Sequence, residues 1–508
     1  MSASTGVEPI HTELLIDGAE IRAGGQEPVR NPAAPDEVVG YISAATREHA
    51  TAAVDAAVAA WPIWSEMSAG KRAGILTSAL QGLGQEQARA ELLTRENGKV
   101  LQEAQIELGV FVARCQLAAS LADQLGTSQD LPVPTDDAES ATAPAPSLPP
   151  FRSRVDALPV GVTTIVVPYN WPLAILAASL PYALVAGNPV IVKPPPTSPL
   201  AVVETLRLLA RGLPPGVLNV VTGDNDAVAP LIEDRRVQKI VFTGSTAAGQ
   251  YMMTTAAKNL TRVTLELGGN DPAVVLDDAT LDEAAVQQLV TGAFLTSGQV
   301  CMGIKRLYVH RSRYHEVLDG MSDVLGGYRI GNGLDPGTSM GPLNNARQRD
   351  KVRELCDQAR AAGHPVRELG TVDPAAESAG GYFLPAMLVL DPHADSGIVT
   401  TEQFGPALPV IPFDDEDALI DRLNDEWAGL CSSVWTADPD RAATAAHRLR
   451  TGTVWVNNHN AVAQDDRAPF GGFRHSGTGR ELGVEGLLDF TEPHTVTYSV
   501  PEDTGARS

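Results

Sequence analysis

The stretch KIVFTGSTAAGQYMMTTAAKNLTRVTLELGG, residues 239–269, contains two apolar segments separated by a helical pattern. Lys239 to Thr243 and Val263 to Leu267 are rich in β-branched residues, whereas Thr246 to Lys258 has the composition of a helix. An apolar strand, a glycine turn, a helix and a second apolar strand together make a βαβ unit, whose two strands are parallel. This stretch therefore predicts an α/β fold.

The same alternation extends on both sides of this stretch. Upstream, strand patterns at Gly161 to Val167, Pro189 to Lys193 and Val217 to Thr222 alternate with helical patterns at Ser198 to Leu213 and Asp224 to Asp234. This order is typical of a doubly wound, nucleotide-binding domain. Downstream of residue 266, a second set of strand and helix patterns predicts another α/β domain.

Length and charge limit the classes of protein to which the chain can belong. A chain of 508 residues exceeds what one hydrophobic core supports, so it should form two or three domains with room for a cleft between them. The formal net charge of −24 would repel nucleic acid phosphates and anionic lipid headgroups. We therefore expect neither nucleic acid nor a membrane as a partner.

The sequence also favours a cytoplasmic location, and it predicts no metal site. Met1 to Gly18 lacks the basic start and apolar run of a signal peptide. Residues 157–192 carry no charged side chain, but prolines interrupt them, and their longest apolar block is shorter than the roughly 20 residues that a bilayer requires. Four widely spaced cysteines form neither a CxxC pair nor a Cys/His cluster, which argues against a disulfide framework and against a metal.

One thiol and one carboxylate lie in glycine-rich segments. Cys301 ends Ser297-Gly298-Gln299-Val300-Cys301, and Glu266 begins Glu266-Leu267-Gly268-Gly269. A lone cysteine is usually a small buried hydrophobe, and a lone glutamate is usually a surface charge. In tight turns the same pair can instead serve as nucleophile and general base. Other motifs decide between these interpretations.

Six segments together resemble the aldehyde dehydrogenase superfamily over nearly the whole chain. They are Pro168-Tyr169-Asn170-Trp171-Pro172; Lys193-Pro194; Phe242-Thr243-Gly244-Ser245-Thr246 with Gly249; Glu266-Leu267-Gly268-Gly269 with Gly298-Gln299-Val300-Cys301; Glu402-Gln403-Phe404-Gly405-Pro406; and Pro469-Phe470-Gly471-Gly472 with Gly479-Arg480-Glu481. Each segment is weak on its own, whereas all six in the order and spacing of the family are specific.

The resemblance implies oxidation of an aldehyde to a carboxylic acid by covalent catalysis. Cys301 would attack the aldehyde, while the side-chain amide of Asn170 and the backbone N–H of Cys301 would stabilise the oxyanion. Oxidation would leave a thioester on Cys301, and water activated by Glu266 would hydrolyse it. Without the resemblance, an asparagine after a Pro-Tyr turn is equally a turn former.

A nicotinamide dinucleotide is the cofactor that the resemblance implies. Gly244, Ser245 and Gly249 mark a strand-to-helix turn whose N–H groups and helix dipole can face a pyrophosphate, although the spacing departs from GxGxxG. Lys193 would contact the adenosine ribose. The nicotinamide ribose would contact Glu402, and Phe404, two residues further on, would help to position the nicotinamide ring.

Two departures from the family pattern concern specificity. Pro196 stands where many NAD-preferring members have a glutamate that binds the adenosine ribose and repels a 2′-phosphate, so we expect NAD or NADP, with NAD favoured. Ala178, Leu295 and Val462 match positions that are commonly aromatic in members acting on apolar aldehydes, which suggests a wide tunnel. The polar loop from Asn457 to Pro469 suggests a polar or bulky aldehyde, or is simply solvated.

The resemblance also sets the expected domain organisation, two doubly wound α/β domains and a β-hairpin oligomerisation arm. Residues 1–122 and 154–265 should form the Rossmann-like dinucleotide-binding domain, and residues 266–480 the catalytic domain. Residues 123–153 and 481–500 should form the arm, so we expect a homodimer or homotetramer. The Ala/Pro/Ser-rich segment Asp136 to Pro150 would be a disordered insertion in that arm.

Two other functions stay open at this point. A CoA-acylating aldehyde dehydrogenase would release the acyl group to CoA instead of water, but such relatives usually lack the glutamate that this chain has at Glu266. A catalytically silent, cofactor-binding structural protein is the alternative from another class. The joint presence of Cys301, Asn170 and Glu266 argues against it. We therefore expect an NAD(P)-dependent aldehyde dehydrogenase of the hydrolytic kind.

Overall fold

The structure is a computed structural model and describes residues 8–125, 129–131 and 151–499. The expected insertion, Asp136 to Pro150, lies outside the described residues. The described strands form two large sheets and three small ones. Among the helices described, none is long and apolar enough to cross a bilayer.

The first large sheet has eight strands, and its central strands are parallel. From edge to edge these are Gly477–Thr478, Arg262–Leu267, Lys239–Gly244, Thr163–Val166, Val190–Lys193, Leu218–Val220, Leu14–Ile16 and Ala19–Ile21. The direction of winding reverses between Thr163–Val166 and Lys239–Gly244. The chain first adds Val190–Lys193 and Leu218–Val220 on one side of Thr163–Val166, and then adds Lys239–Gly244 and Arg262–Leu267 on the opposite side. Ligands of open α/β sheets bind beyond the carboxyl ends of the strands at such a reversal.

The second large sheet has seven strands, of which only the first pair is antiparallel. In order they are Val366–Leu369, Ala386–Leu390, Ala407–Phe413, Arg306–His310, Pro272–Val275, Cys431–Trp435 and Thr453–Val456. Two doubly wound sheets are the fold class that the sequence predicts. The short strand Gly477–Thr478 nevertheless joins the first sheet, although it lies in the part of the sequence expected to be catalytic.

The small sheets lie outside these two layers. One contains Ile10–Thr12, Ala34–Ala44 and Gly25–Asn31, and another pairs Arg329–Ile330 with Thr371–Val372. The third is antiparallel and contains Thr491–Ser499, Phe151–Pro159 and Gln129–Asp130. This third sheet joins the two segments predicted to form the arm, and its central strand continues to Pro159, beyond the predicted boundary at residue 153.

The helices cover the sheets. They are Arg47–Glu66, Ala69–Leu80, Glu86–Asn97, Leu101–Ser120, Pro172–Ala186, Leu200–Ala210, Pro230–Glu233, Thr246–Ala257, Glu283–Phe294, Tyr314–Gly326, Ala346–Ala361, Pro374–Ser378, Gly397–Thr400, Glu416–Asn424, Pro439–Arg448 and Gly483–Leu488, with 3₁₀ turns at Ala122–Leu125, Leu295–Gly298, Arg311–Arg313, Ala461–Ala463 and Arg474–Ser476. Pro172–Ala186 is buried on all sides, which explains the uncharged stretch of sequence around it.

One predicted helix is much shorter than its pattern. The sequence predicts a helix over Asp224 to Asp234, but only Pro230–Glu233 is helical. The side chain of Asp224 accepts a hydrogen bond from the backbone N–H of Ala227, at 2.8 Å, which holds a local turn instead. Pro230 supplies no backbone N–H, so it begins the helix and does not continue one.

Candidate active site

A cavity of about 370 Å³ lies beyond the carboxyl ends of the strands at the reversal of the first sheet. Its walls come from the segments after three parallel strands and from the second domain. The lining residues are Pro168, Tyr169, Asn170, Thr243, Gly244, Ser245, Glu266, Leu267, Gly268, Cys301, Asn345, Arg347, Gln348, Lys351, Glu402 and Phe404. This first cavity therefore brings together seven of the nine site residues predicted from the sequence.

A second cavity, of about 240 Å³, approaches the same thiol from another side. It is lined by Ile106, Val110, Arg114, Asn170, Trp171, Ala174, Ile175, Leu295, Val300, Cys301, Met302, Ala461, Val462, Gln464 and Asp466. Asn170 and Cys301 are the two residues common to both linings. A group bound in the first cavity and a group bound in the second would thus meet at the thiol.

The backbone before Cys301 is held in an unusual conformation. Thr296 and Ser297 have φ of +51° and +56°, and Gly298 follows with φ of +72°. A Cβ at Gly298 would overlap the backbone carbonyl of Gly405, so glycine is required there. The turn is fixed because Glu103 accepts a hydrogen bond from the backbone N–H of Thr296 at 2.9 Å. These contacts fix the thiol at the junction of the cavities.

Asn170 is buried beside this turn. Its Nδ2 donates a hydrogen bond to the carbonyl of Gln299 at 2.9 Å, which fixes the side chain. The amide has two N–H groups, so one can still be donated to a bound oxygen atom. Asn170 lies two residues before the helix Pro172–Ala186, and the backbone N–H of Leu173 in the first turn of that helix donates a hydrogen bond to Glu107 at 2.7 Å. The buried Glu107 therefore anchors the segment that carries the amide.

Glu266 lies near the end of its strand and is only 4% exposed. Neither carboxylate oxygen has a hydrogen-bond partner among the described residues. A Cβ at Gly471 would come within 2.9 Å of Oε1, so the glycine leaves space beside the carboxylate. Burial, together with the negative charge of Glu481, raises the pKa of Glu266 well above its usual value. A carboxyl with a raised pKa is suited to accept a proton from water.

The thiol of Cys301 is held in its protonated form in this structure. The pKa of Cys301 is raised to about 12, mainly by burial and in smaller part by the carboxylates of Glu402, Asp271 and Glu266, while Lys305 opposes the rise. Burial similarly raises the pKa of Glu402. Formation of the thiolate therefore requires either a base or added positive charge near the sulfur.

The strand-to-helix turn after Lys239–Gly244 faces the first cavity. Ser245 caps the helix Thr246–Ala257, because its side chain accepts a hydrogen bond from the backbone N–H of Ala248 at 3.3 Å. A Cβ at Gly244 would lie 2.5 Å from the ring of Phe242, so a larger residue here would have to displace that ring. The positive end of the helix dipole and the free N–H groups of the first turn suit a phosphate.

Two predicted cofactor residues lie away from this lining. Lys193 ends the strand Val190–Lys193 and is buried, and burial lowers the pKa of its ammonium group. Gly249 instead allows close packing between the helix and the sheet, since a Cβ there would lie 2.5 Å from the side chain of Leu267. Neither residue lines the first cavity.

Glu402 and Phe404 form the opposite wall. The Oε1 of Glu402 is buried and has no hydrogen-bond partner among the described residues, which leaves it available to a ligand hydroxyl. Phe404 has φ of +51°, and its carbonyl accepts a hydrogen bond from Gln348 at 2.8 Å. The ring of Phe404 meets that of Tyr169 edge to face, with centroids 6.2 Å apart. A helix terminus, a carboxylate with one unpaired oxygen and an aromatic wall fit a dinucleotide.

The sequence analysis did not single out three polar residues of this wall. Arg347, Gln348 and Lys351 lie on the first turns of the helix Ala346–Ala361 and line the first cavity. Lys351 also donates a hydrogen bond to the carbonyl of Glu402 at 2.7 Å. Their spacing of three and four residues shows that they share one helical face, but it does not show what that face contacts.

The polar loop from Asn457 to Pro469 is mostly turned away from the second cavity. Only Ala461, Val462, Gln464 and Asp466 line it. His459 is fully buried, with Nδ1 2.7 Å from the hydroxyl of Ser433. Burial lowers the pKa of His459 to about 3, so its ring is neutral at physiological pH. Leu295 and Val462 line the cavity as expected, whereas Ala178 does not.

No group of three or more His, Cys, Asp or Glu side chains that could hold a metal ion occurs in the described part of the chain.

Comparisons with known proteins agree on one family. The sequence profile of the aldehyde dehydrogenase family matches residues 21–496. A cytosolic aldehyde dehydrogenase of Elephantulus edwardii is 34% identical over 98% of this chain and 97% of its own length. A candidate aldehyde dehydrogenase from Burkholderia cenocepacia has a TM-score of 0.90 at 33% identity, covering 98% of this chain and 99% of its own. A betaine aldehyde dehydrogenase of Staphylococcus aureus, solved with NAD⁺, has a TM-score of 0.88 at 29% identity, covering 96% of this chain and 94% of its own.

Proposed function

The chain belongs to the aldehyde dehydrogenase family, and we propose that Cys301, Asn170 and Glu266 carry out its NAD(P)-dependent oxidation of an aldehyde to a carboxylic acid. The position of Cys301, at the junction of the two cavities, is the observation that carries this proposal. In this assignment the first cavity takes the cofactor and the second takes the aldehyde.

Cys301 is the nucleophile. Its sulfur adds to the carbonyl carbon and forms a C–S bond, while the carbonyl oxygen gains negative charge. The remaining N–H of the Asn170 amide and the backbone N–H of Cys301 stabilise that oxygen. Because the raised pKa of Cys301 disfavours a free thiolate, the S–H bond breaks as the C–S bond forms or before it, and the proton passes to water.

Glu266 acts after the oxidation, when the acyl group is held on Cys301 as a thioester. Its unpaired carboxylate accepts a proton from a water molecule, whose oxygen then attacks the acyl carbon and displaces the sulfur. The products are a carboxylic acid and the free thiol. The presence of this carboxylate beside the first cavity favours release to water over release to CoA.

The cofactor residues of the proposal divide into two groups. Gly244 and Ser245 at the helix terminus bind the diphosphate, whereas Glu402 and Phe404 contact the nicotinamide half. Bound NAD⁺ or NADP⁺ supplies the two-electron acceptor of the reaction. Lys193 contacts the adenosine ribose in this proposal, and Gly249 acts indirectly by bringing the helix close to the sheet.

The domain roles follow the same proposal. Residues 1–122 and 154–265 bind the dinucleotide, residues 266–480 supply the nucleophile, and residues 123–153 with 481–500 form an oligomerisation arm. A homodimer or homotetramer in the cytoplasm is the expected form.

Exposed apolar side chains support association, since Tyr251 and Met253 on the helix Thr246–Ala257 are 55% and 46% exposed. Sedimentation should then show an oligomer that Met253→Asp weakens, and a monomeric wild type would contradict this part.

Activity measurements test the catalytic assignment. Reduction of NAD⁺ and of NADP⁺ is followed by absorbance with several aldehydes, without CoA, for the wild type, Cys301→Ala and Cys356→Ala. Cys356, a buried cysteine on the helix Ala346–Ala361 that lines neither cavity, is the matched control. We expect turnover that only Cys301→Ala abolishes. Turnover that persists in Cys301→Ala would refute the assignment, and turnover that requires CoA would favour the acylating alternative.

A further inference from the structure

The second cavity is lined mainly by aliphatic side chains and contains a single pair of opposite charges. Seven of its residues are isoleucine, valine, leucine or methionine, namely Ile106, Val110, Ile175, Leu295, Val300, Met302 and Val462. Arg114 and Asp466 are the charged residues of the lining. An apolar wall with few polar groups selects ligands by shape and by the absence of charge.

The positive charge of Arg114 is neutralised by Asp466 through two hydrogen bonds. Arg114 donates from Nε to Asp466 at 2.8 Å and from Nη2 to the other carboxylate oxygen at 2.7 Å. Its Nη1 donates to the backbone carbonyl of Ala174 at 2.8 Å. The side chains of Arg114 and Asp466 are 12% and 28% exposed, so the pair is partly shielded from water. A bidentate pair of this kind leaves no uncompensated cation for a ligand carboxylate.

The cavity is equally unsuited to a cationic aldehyde. Trp171 is the aromatic residue among the described lining residues, and the ammonium of Lys99 lies 4.1 Å from the centroid of its ring. One face of the indole is therefore already occupied by a positive charge. A quaternary ammonium group is usually bound by several aromatic faces or a free carboxylate.

We propose that the enzyme acts on uncharged aldehydes with an apolar body, and that Asp466 enforces this choice by neutralising Arg114. The inference rests on the proposed function, because it assumes that the aldehyde reaches Cys301 through the second cavity. It also replaces the expectation of a polar aldehyde, since most polar side chains of the loop from Asn457 to Pro469 do not line that cavity.

The proposal predicts what happens when the pair is broken. In Asp466→Asn the carboxylate becomes a neutral amide, so the Arg114 guanidinium gains the capacity to bind an aldehyde that carries a terminal carboxylate. Asp465→Asn is the matched control, since Asp465 lies next to it in the loop but pairs with the exposed Arg467 at 2.7 Å. Both variants change the net charge by the same amount.

The experiment compares kcat/KM for hexanal, succinic semialdehyde and betaine aldehyde. For the wild type we expect hexanal to exceed each charged aldehyde by on the order of a hundredfold, because a charge moved from water into this cavity finds no partner. In Asp466→Asn the ratio of succinic semialdehyde to hexanal should rise by about tenfold. Asp465→Asn should leave the ratio at the wild-type value.

Several outcomes would overturn the proposal. A wild type that prefers either charged aldehyde refutes it without any variant, so the test does not depend on whether Asp466→Asn folds. An equal change in Asp465→Asn would show that net charge, and not the pair with Arg114, controls selectivity. A failure of the proposed function would give a different result from a failure of this proposal. In that case Cys301→Ala would retain turnover with whichever aldehyde is used.

Discussion

Replacing Glu266 by glutamine separates the two halves of the proposed reaction. Both oxygens of Glu266 are buried without a hydrogen-bond partner among the described residues, so the substitution breaks no hydrogen bond that the structure describes. Burial raises the pKa of Glu266, so the folded protein favours the protonated carboxyl. When the pH rises above the pKa of the unfolded state, Glu266 therefore lowers the free energy of unfolding. Glu266→Gln should therefore melt at the same temperature as the wild type or higher at neutral pH.

The steady-state turnover rate of Glu266→Gln should fall, although its melting temperature does not. A general base typically accelerates its step by about 10²–10⁴-fold, which corresponds to about 3–5 kcal/mol of barrier. Only hydrolysis of the thioester uses Glu266, so attack by Cys301 and the oxidation should still take place. We expect a rapid burst of about one reduced dinucleotide per subunit, followed by steady-state turnover slower than that of the wild type by the same factor.

The assay is rapid mixing of the variant with aldehyde and dinucleotide, with absorbance as the signal. Adding hydroxylamine or CoA should restore turnover, since a strong nucleophile can attack the thioester without a base. Glu283→Gln is the control, because Glu283 is exposed in the first turn of its helix. The raised pKa of Glu266 also predicts that wild-type kcat rises with pH and that Glu266→Gln flattens this dependence. Undiminished steady-state turnover, or loss of the burst together with turnover, would refute the role of Glu266.

Three other predictions concern stability and cofactor choice. Gly298→Ala should lower both Tm and kcat, because φ there is +72° and a Cβ would meet a backbone carbonyl. The control Gly326→Ala, which has open space at the end of its helix, should leave kcat unchanged and Tm equal or slightly higher. Lys99→Met removes the only cation paired with the buried Glu107 in the described residues and should lower the free energy of unfolding by about 3–5 kcal/mol. The double variant Lys99→Met/Glu107→Gln should recover part of this loss, and equal urea midpoints for the single and double variants would contradict the prediction. Pro196→Glu should weaken the binding affinity for NADP⁺ relative to that for NAD⁺ by roughly fivefold, because the new carboxylate repels a 2′-phosphate. An unchanged ratio of the two dissociation constants in a binding titration would exclude that contact.

The strands, and the proposed nucleophile and base, could be predicted from the sequence because their signals are local. The βαβ pattern of residues 239–269 depends on neighbouring residues, and the structure places strands at Lys239–Gly244 and Arg262–Leu267. Cys301 follows a turn that contains Gly298, and Glu266 lies near the end of a strand that leads directly into Gly268 and Gly269. Glycines close to both residues are visible in the sequence itself. The structure adds the reason, since Gly298 has a positive φ and no room for a Cβ.

Contacts between distant segments could not be predicted in the same way. Arg114 and Asp466 are separated by 352 positions, and neither is unusual in its own segment. The polar side chains of the loop from Asn457 to Pro469 suggested a polar ligand, but composition does not tell which of them face inward. The helix predicted over Asp224 to Asp234 failed for a different reason, because a side-chain hydrogen bond to the backbone competed with helical pairing.

The separation of the two cavities has a consequence for covalent inhibitors. Since the cavities share only Asn170 and Cys301 among their lining residues, a thiol-reactive compound can approach the sulfur from either side. A slender apolar electrophile would enter through the second cavity and would be blocked by a bound aldehyde analogue. A polar, anionic electrophile would approach past Arg347 and Lys351 and would be blocked by bound dinucleotide. The pattern of protection would therefore report the route by which each reagent reached the same atom.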